Sequence, residues 1–166
     1  MNKSNPQHTF RLVLSLLIAL LFIGCNDNQP SETGHSSILT LDKSNIKTFA
    51  SRCQKDYDSI HAGLIEHFNI AYKNNDGYGF ADFRNNKWTP AYIEKKNFYA
   101  DVYAHNEAFL KSSPIAPLFD RFDNLIYIGI NLKNGLLNND KELIDQTLAE
   151  AKVDQQLVHS IVAATQ

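Results

Sequence analysis

Two regimes of apolar residues divide the chain. From Leu12 to Ile23 the run is unbroken except for Ser15. From Ile46 onward apolar residues recur at steps of three and four, the spacing of helices that bury one face. The first such stripe is Ile46, Phe49, Ala50, Cys53, Tyr57, Ile60, Leu64, Phe68 and Ala71. It predicts a long helix capped by Ser44 or Asn45 and running to about Lys73, where Asn74-Asn75-Asp76-Gly77 stops it. A second helix fits Glu94 to Lys111, with Phe98, Val102, His105 and Phe109 on its stripe. Ser112-Ser113-Pro114 breaks the chain, and a third helix is expected from Ile115 to Asn134, ended by Gly135. Asp140 caps a last segment reaching Ala164, whose period shifts near Val153-Asp154, so one helix or two fit equally.

Residues 77–93 lack a helical period, and two glycines and a proline oppose one. They read as an ordered loop, or as a hairpin turning at Arg84-Asn85-Asn86-Lys87. The fold expected for residues 44–166 is therefore all-α. It is an antiparallel bundle of four to five helices with an aromatic-rich loop or short hairpin insertion.

Twelve apolar residues rising ~1.5 Å each extend about 18 Å, short of a hydrocarbon core of roughly 30 Å. The first 24 residues hold Lys3 and Arg11 and no acidic side chain. A basic start, a short apolar core and a small residue at its end describe a secretion signal over residues 1–24. Residues 25–43, rich in Asn, Ser and Thr with Pro30, read as a flexible tether.

Phe22-Ile23-Gly24-Cys25 resembles the lipobox of bacterial lipoproteins, with Phe22 standing where Leu, Val or Ile is usual. The resemblance covers residues 1–25. It implies that the Cys25 thiol carries a diacylglycerol, that the chain is cut before it, and that the new amino group is acylated. The chain would then sit on a membrane through its acyl chains, with the domain facing the periplasm. Asn26 in place of the aspartate that resembles an inner-membrane retention signal implies the outer membrane rather than the inner.

Removing residues 1–24 takes two of the 16 basic residues and none of the 18 acidic ones, leaving 14 against 18 and a net charge of −4. No run of Lys or Arg forms a basic stripe, which argues against nucleic acid as a partner. With Cys25 lipidated, Cys53 stays alone, and its place in an apolar stripe reads as packing.

Eight of the 18 aromatic residues lie between Tyr78 and Tyr103, among them the single Trp. Tyr78, Phe80, Phe83, Trp88 and Tyr92 are the candidate partner-binding residues, because Tyr and Trp join large apolar area to a hydrogen-bonding tip. The competing readings are a small satellite core over one end of the bundle and stacking on a glycan. Asp101 with His105, and Asp58 with His61, are acid–His pairs at helical spacing, loosely of the kind that builds metal sites in bundles. The full di-iron pattern is missing, and His105 reads as a core histidine satisfied by Asp101. No phosphate loop, nucleophile elbow or zinc-protease motif occurs, and no catalytic residue, metal or cofactor is expected.

The expected function is a non-catalytic binding module of the envelope with a periplasmic protein partner, in concrete form an immunity or inhibitor protein against an envelope-targeting enzyme. The alternatives are a structural lipoprotein contacting peptidoglycan or an assembly machine, and a metal-binding or enzymatic bundle. Cys25→Ala is expected to abolish both acyl-chain labelling and processing. Continued labelling of that variant in cells fed a radioactive fatty acid would remove the lipoprotein reading.

Overall fold

Asn45 is the N-cap residue of the first helix, one of the two expected, and its side chain makes no capping bond. The Asp42 carboxylate accepts from the Ser44 amide and hydroxyl and from the Asn45 amide and fixes the turn that leads in. The computed structural model describes residues 38–166. In chain order it contains α1 (Ile46–Asn74), α2 (Gly77–Phe83), a π-helical turn (Arg84–Trp88), α3 (Thr89–His105), α4 (Glu107–Leu110), α5 (Pro117–Asn138) and α6 (Lys141–Thr165). The proposed signal peptide and Cys25 lie outside the described residues.

Residue pairings set the topology. Asp56 meets Lys95 and Tyr99, and the Ile60 carbonyl meets Trp88, so α3 runs antiparallel to α1. Tyr92 stacks on Phe122 and Tyr103 packs on Phe119, which sets α5 antiparallel to α3. Arg121 meets Asp154, and Asn124 meets Glu150, which sets α6 antiparallel to α5. The four long helices form an up-down-up-down bundle, as the periodicity predicts. The α1 stripe is buried as expected from Phe49 to Ala71, with Ile46 partly covered and His61 added.

The segment 77–93 is neither loop nor hairpin; it is helical throughout. Its inward residues are Phe80, Arg84, Trp88 and Tyr92, at successive steps of four. Each such step overshoots one turn of a 3.6-residue helix by ~40°, so a regular helix would swing this stripe out of the core. The π turn is wider and cancels the drift. It also accommodates Pro90, which lacks an N–H and in a regular helix crowds the carbonyl four residues back. The Thr89 hydroxyl and amide both donate to the Arg84 carbonyl across this turn. At its start the segment is capped by Asp76, whose carboxylate accepts from the Gly79 amide at 2.8 Å.

Three helix ends depart from expectation. Gly135 does not end α5, which continues to Asn138 before Asn139 turns left-handed at φ 54°. The missing side chain serves a crossing instead: a Cβ at Gly135 would stand 2.7 Å from Ile144 Cγ1. The last segment is one helix, capped by the Asp140 carboxylate on the Leu143 amide. The expected helix from Glu94 to Lys111 starts earlier, at Thr89, and breaks at Asn106.

Asn106 explains that break. It is buried, its Oδ1 accepts from the Leu41 amide at 2.6 Å, and its Nδ2 donates to the Leu39 and Val102 carbonyls, both at 2.8 Å. Leu41 is buried, and hydrogen bonds at Leu39 and Thr40 hold this end of the expected tether against the bundle. Asn106→Ala removes all three bonds and orphans a buried amide, at an expected cost of about 2–4 kcal/mol. Urea unfolding should record that loss, and amide exchange should show Leu41 opening before the bundle does.

Candidate functional site

The five candidate aromatic residues do not share a surface. Phe80, Trp88 and Tyr92 lie in the core at 1%, 4% and 2% exposure. Trp88 Nε1 donates to the Ile60 carbonyl at 2.9 Å, and its ring stacks on Tyr92 with centroids 5.3 Å apart. The Tyr92 hydroxyl reaches the Asp123 carbonyl at 3.3 Å. These three rings fill the space between α1, α3 and α5, which corrects their assignment to a partner-binding surface. Phe83 is half-buried and stacks on His67 at 3.6 Å, and Tyr78 alone is freely exposed, at 85%.

Both acid–His pairs dissolve. Asp101 and His105 are exposed, and His105 Nε2 bonds to the Thr40 hydroxyl at 3.1 Å, so His105 is not a core histidine. The break at Asn106 gives the inward position to the asparagine. Asp58 turns to α6, where its carboxylate meets His159 Nε2 at 2.9 Å and Gln155 at 3.0 Å. His61 is buried and stacks on Tyr57 at 5.8 Å. Among the described residues no three His, Cys, Asp or Glu side chains gather to hold a metal ion. Cys53 is buried, and burial, reinforced by Asp56, pushes its thiol up to about 12, far from a nucleophile's range.

A polar seam runs between α1, α5 and α6. Asp154, at 2% exposure, accepts from Arg121 Nη1 at 2.7 Å and from Asn124 Nδ2 at 2.6 Å. Asn124 also donates to Glu150 at 2.9 Å. Across from Asp154, the Tyr57 hydroxyl and His61 Nε2 are buried without a partner among the described residues. Burial, with Asp154 and Asp58 adding to it, raises the Tyr57 phenol well above its ordinary range.

Outside this seam, α5 presents a ridge to solvent. Asp120, Asp123 and Tyr127 stand along it at steps of three and four, and Tyr127 is 61% exposed. On one side lies a depression of about 340 Å³ lined by Asp120, Arg121, Asp123, Asn124, Tyr127 and Glu150. On the other lies a groove of about 300 Å³ against α3, where Asp120 and Asp123 recur beside Lys96, Tyr99 and Phe119. Lys96 bridges to Asp123 at 3.3 Å. The periodicity of α5 placed its buried face, but nothing in the sequence singled out Tyr127, because an exposed ring on a helix is unremarkable until its neighbours are known.

No family model matches this chain, and no curated protein or solved structure matches it.

His61 makes the seam sensitive to acid. Burial holds its imidazole below the ordinary value, outweighing the pull of Asp58 and Asp154. The unfolded chain therefore takes up this proton first as pH falls, and stability is lost from about pH 6.5 downward. The urea midpoint is expected to fall between about pH 7.5 and pH 5 in the native chain and to fall less in His61→Phe. Equal slopes would show that other groups govern the acid limb.

Proposed function

We propose that this chain is a lipid-anchored protein of the bacterial envelope whose helical domain is a non-catalytic binding module for a basic protein partner. In its concrete form it is an immunity or inhibitor protein that covers a basic active site of an envelope-targeting enzyme. The anchor rests on the lipobox-like Phe22-Ile23-Gly24-Cys25 and the short apolar run before it. No helix among the described residues is long and apolar enough to cross a membrane. The observation that carries the binding reading is the α5 ridge, where one exposed tyrosine stands among Asp120, Asp123 and Glu150 with a depression on either flank. An aromatic anchor inside a polar rim is a common make-up of a protein interface, and the acidic rim would steer a basic partner.

The test uses residues 27–166 as immobilised bait in envelope extract, with Tyr127→Ala and Asp120→Asn/Asp123→Asn as controls. The expected result is one basic protein retained by the native bait. Tyr127→Ala should weaken its affinity at least about 30-fold, the hot-spot threshold of about 2 kcal/mol. The double Asn variant should slow association chiefly at low salt. Equal retention by Tyr127→Ala would remove the ridge from recognition.

A further inference from the structure

Arg84 is out of place by ordinary packing rules. It occupies an inward position between Phe80 and Trp88 and is 8% exposed. Buried cations in folded proteins are paired with carboxylates or fully hydrogen-bonded. The other buried ion that carries formal charge, Asp154, obeys this through Arg121. Arg84 does not: no carboxylate pairs with it among the described residues, and its Nε is covered and without a partner. Of its five donors, one bond is made, from Nη1 to Asn85 Oδ1 at 3.0 Å. Burial draws the guanidinium below its ordinary range with no opposing charge to restore it.

The surroundings hold the group in place. Its guanidinium carbon lies 6.0 Å from the centre of the Trp88 ring, close enough for a cation–π contact. Beside both groups α5 has Gly129, where a Cβ would come within 3.5 Å of Nε and 3.1 Å of the indole. The backbone around it is the π turn, a conformation found disproportionately at functional sites. The Nε edge faces α5, whereas the Nη1 edge faces Asn85, an exposed residue. Asn85 Oδ1 is a carbonyl oxygen at hydrogen-bond distance from the guanidinium, where an oxygen of an incoming anion would sit.

We propose that Arg84 is the centre of an oxyanion-binding site, taking a carboxylate or phosphate group from outside the chain at its Nη edge after Asn85 swings away. The planar fork suits two-oxygen anions, and the low-dielectric setting strengthens each bond it makes. Lys87, exposed on the same turn, adds a second positive charge to this segment. This inference is independent of the Tyr127 ridge and of the lipid anchor.

Trp88 is the single tryptophan of the chain and reports on its neighbour directly. The full chain in neutral detergent is titrated with acetate and with inorganic phosphate, using chloride at matched ionic strength as control, while Trp88 emission is followed. A saturable change with acetate or phosphate that chloride does not produce is expected, and whichever anion saturates at lower concentration identifies the source class. Arg84→Met should abolish the change and Arg84→Lys should weaken it more than about tenfold, the ammonium lacking the fork. Asn85→Ala, at an exposed position, should tighten binding several-fold by removing the internal competitor, and serves if the Arg84 variants do not fold. A native response no greater than that to chloride, or an affinity that Asn85→Ala leaves unchanged, overturns the proposal.

Discussion

Trp88 stands where α1, α3 and α5 meet, and its indole imposes three demands at once. Its N–H needs an acceptor away from water, and it takes the Ile60 carbonyl on α1. Its face needs a flat neighbour, and it takes Tyr92 one turn along. Its outer edge needs a helix without a side chain, and Gly129 on α5 supplies one. All three are met only because the π turn brings Trp88 and Tyr92 onto the same line as Phe80. The ring therefore sets the register of three helices, and the segment that holds it cannot be an optional insertion. Buried aromatic pairs of this kind contribute about 0.5–1.5 kcal/mol beyond their burial.

The fourth helix is set by charge as well as packing. Asp154 is buried on α6 and is held by Arg121 and Asn124 from α5. Such a pair adds little net stability, because desolvation offsets the attraction, but an unpaired Asp154 would be costly. The contact thus selects one register of α6 against α5, as the close crossing of Gly135 by Ile144 does near the far end. With its inner face and one flank committed, α5 leaves Asp120, Asp123 and Tyr127 facing water. The ridge follows from where α5 is required to pack.

Much of the fold was legible in the chain. The stripe from Phe49 to Ala71, the stop at Asn74-Asn75-Asp76-Gly77, the cap at Asp140 and the all-α class follow from local spacing and short-range hydrogen bonding, which depend on neighbours within a turn or two. The readings that failed share one cause. Pro90 and the glycines at 77 and 79 argue against a helix when counted residue by residue, yet the steps of four from Phe80 to Tyr92 fit one wider turn. His105 looked inward on a regular period until Asn106 broke the helix. Gly135 looked like a stop until Ile144 needed its space.

The sequence by itself determined the all-α class, the long helices that open and close the bundle, most of the apolar faces that must meet and the resemblance of its start to a lipobox, because each depends on residues close together in the chain. Only the tertiary structure decided which aromatic rings are core and which are surface, that Asp58 pairs with His159 rather than His61, and that Arg84 is buried without a carboxylate partner among the described residues. Those outcomes depend on distances between helices far apart in sequence, which no local period encodes.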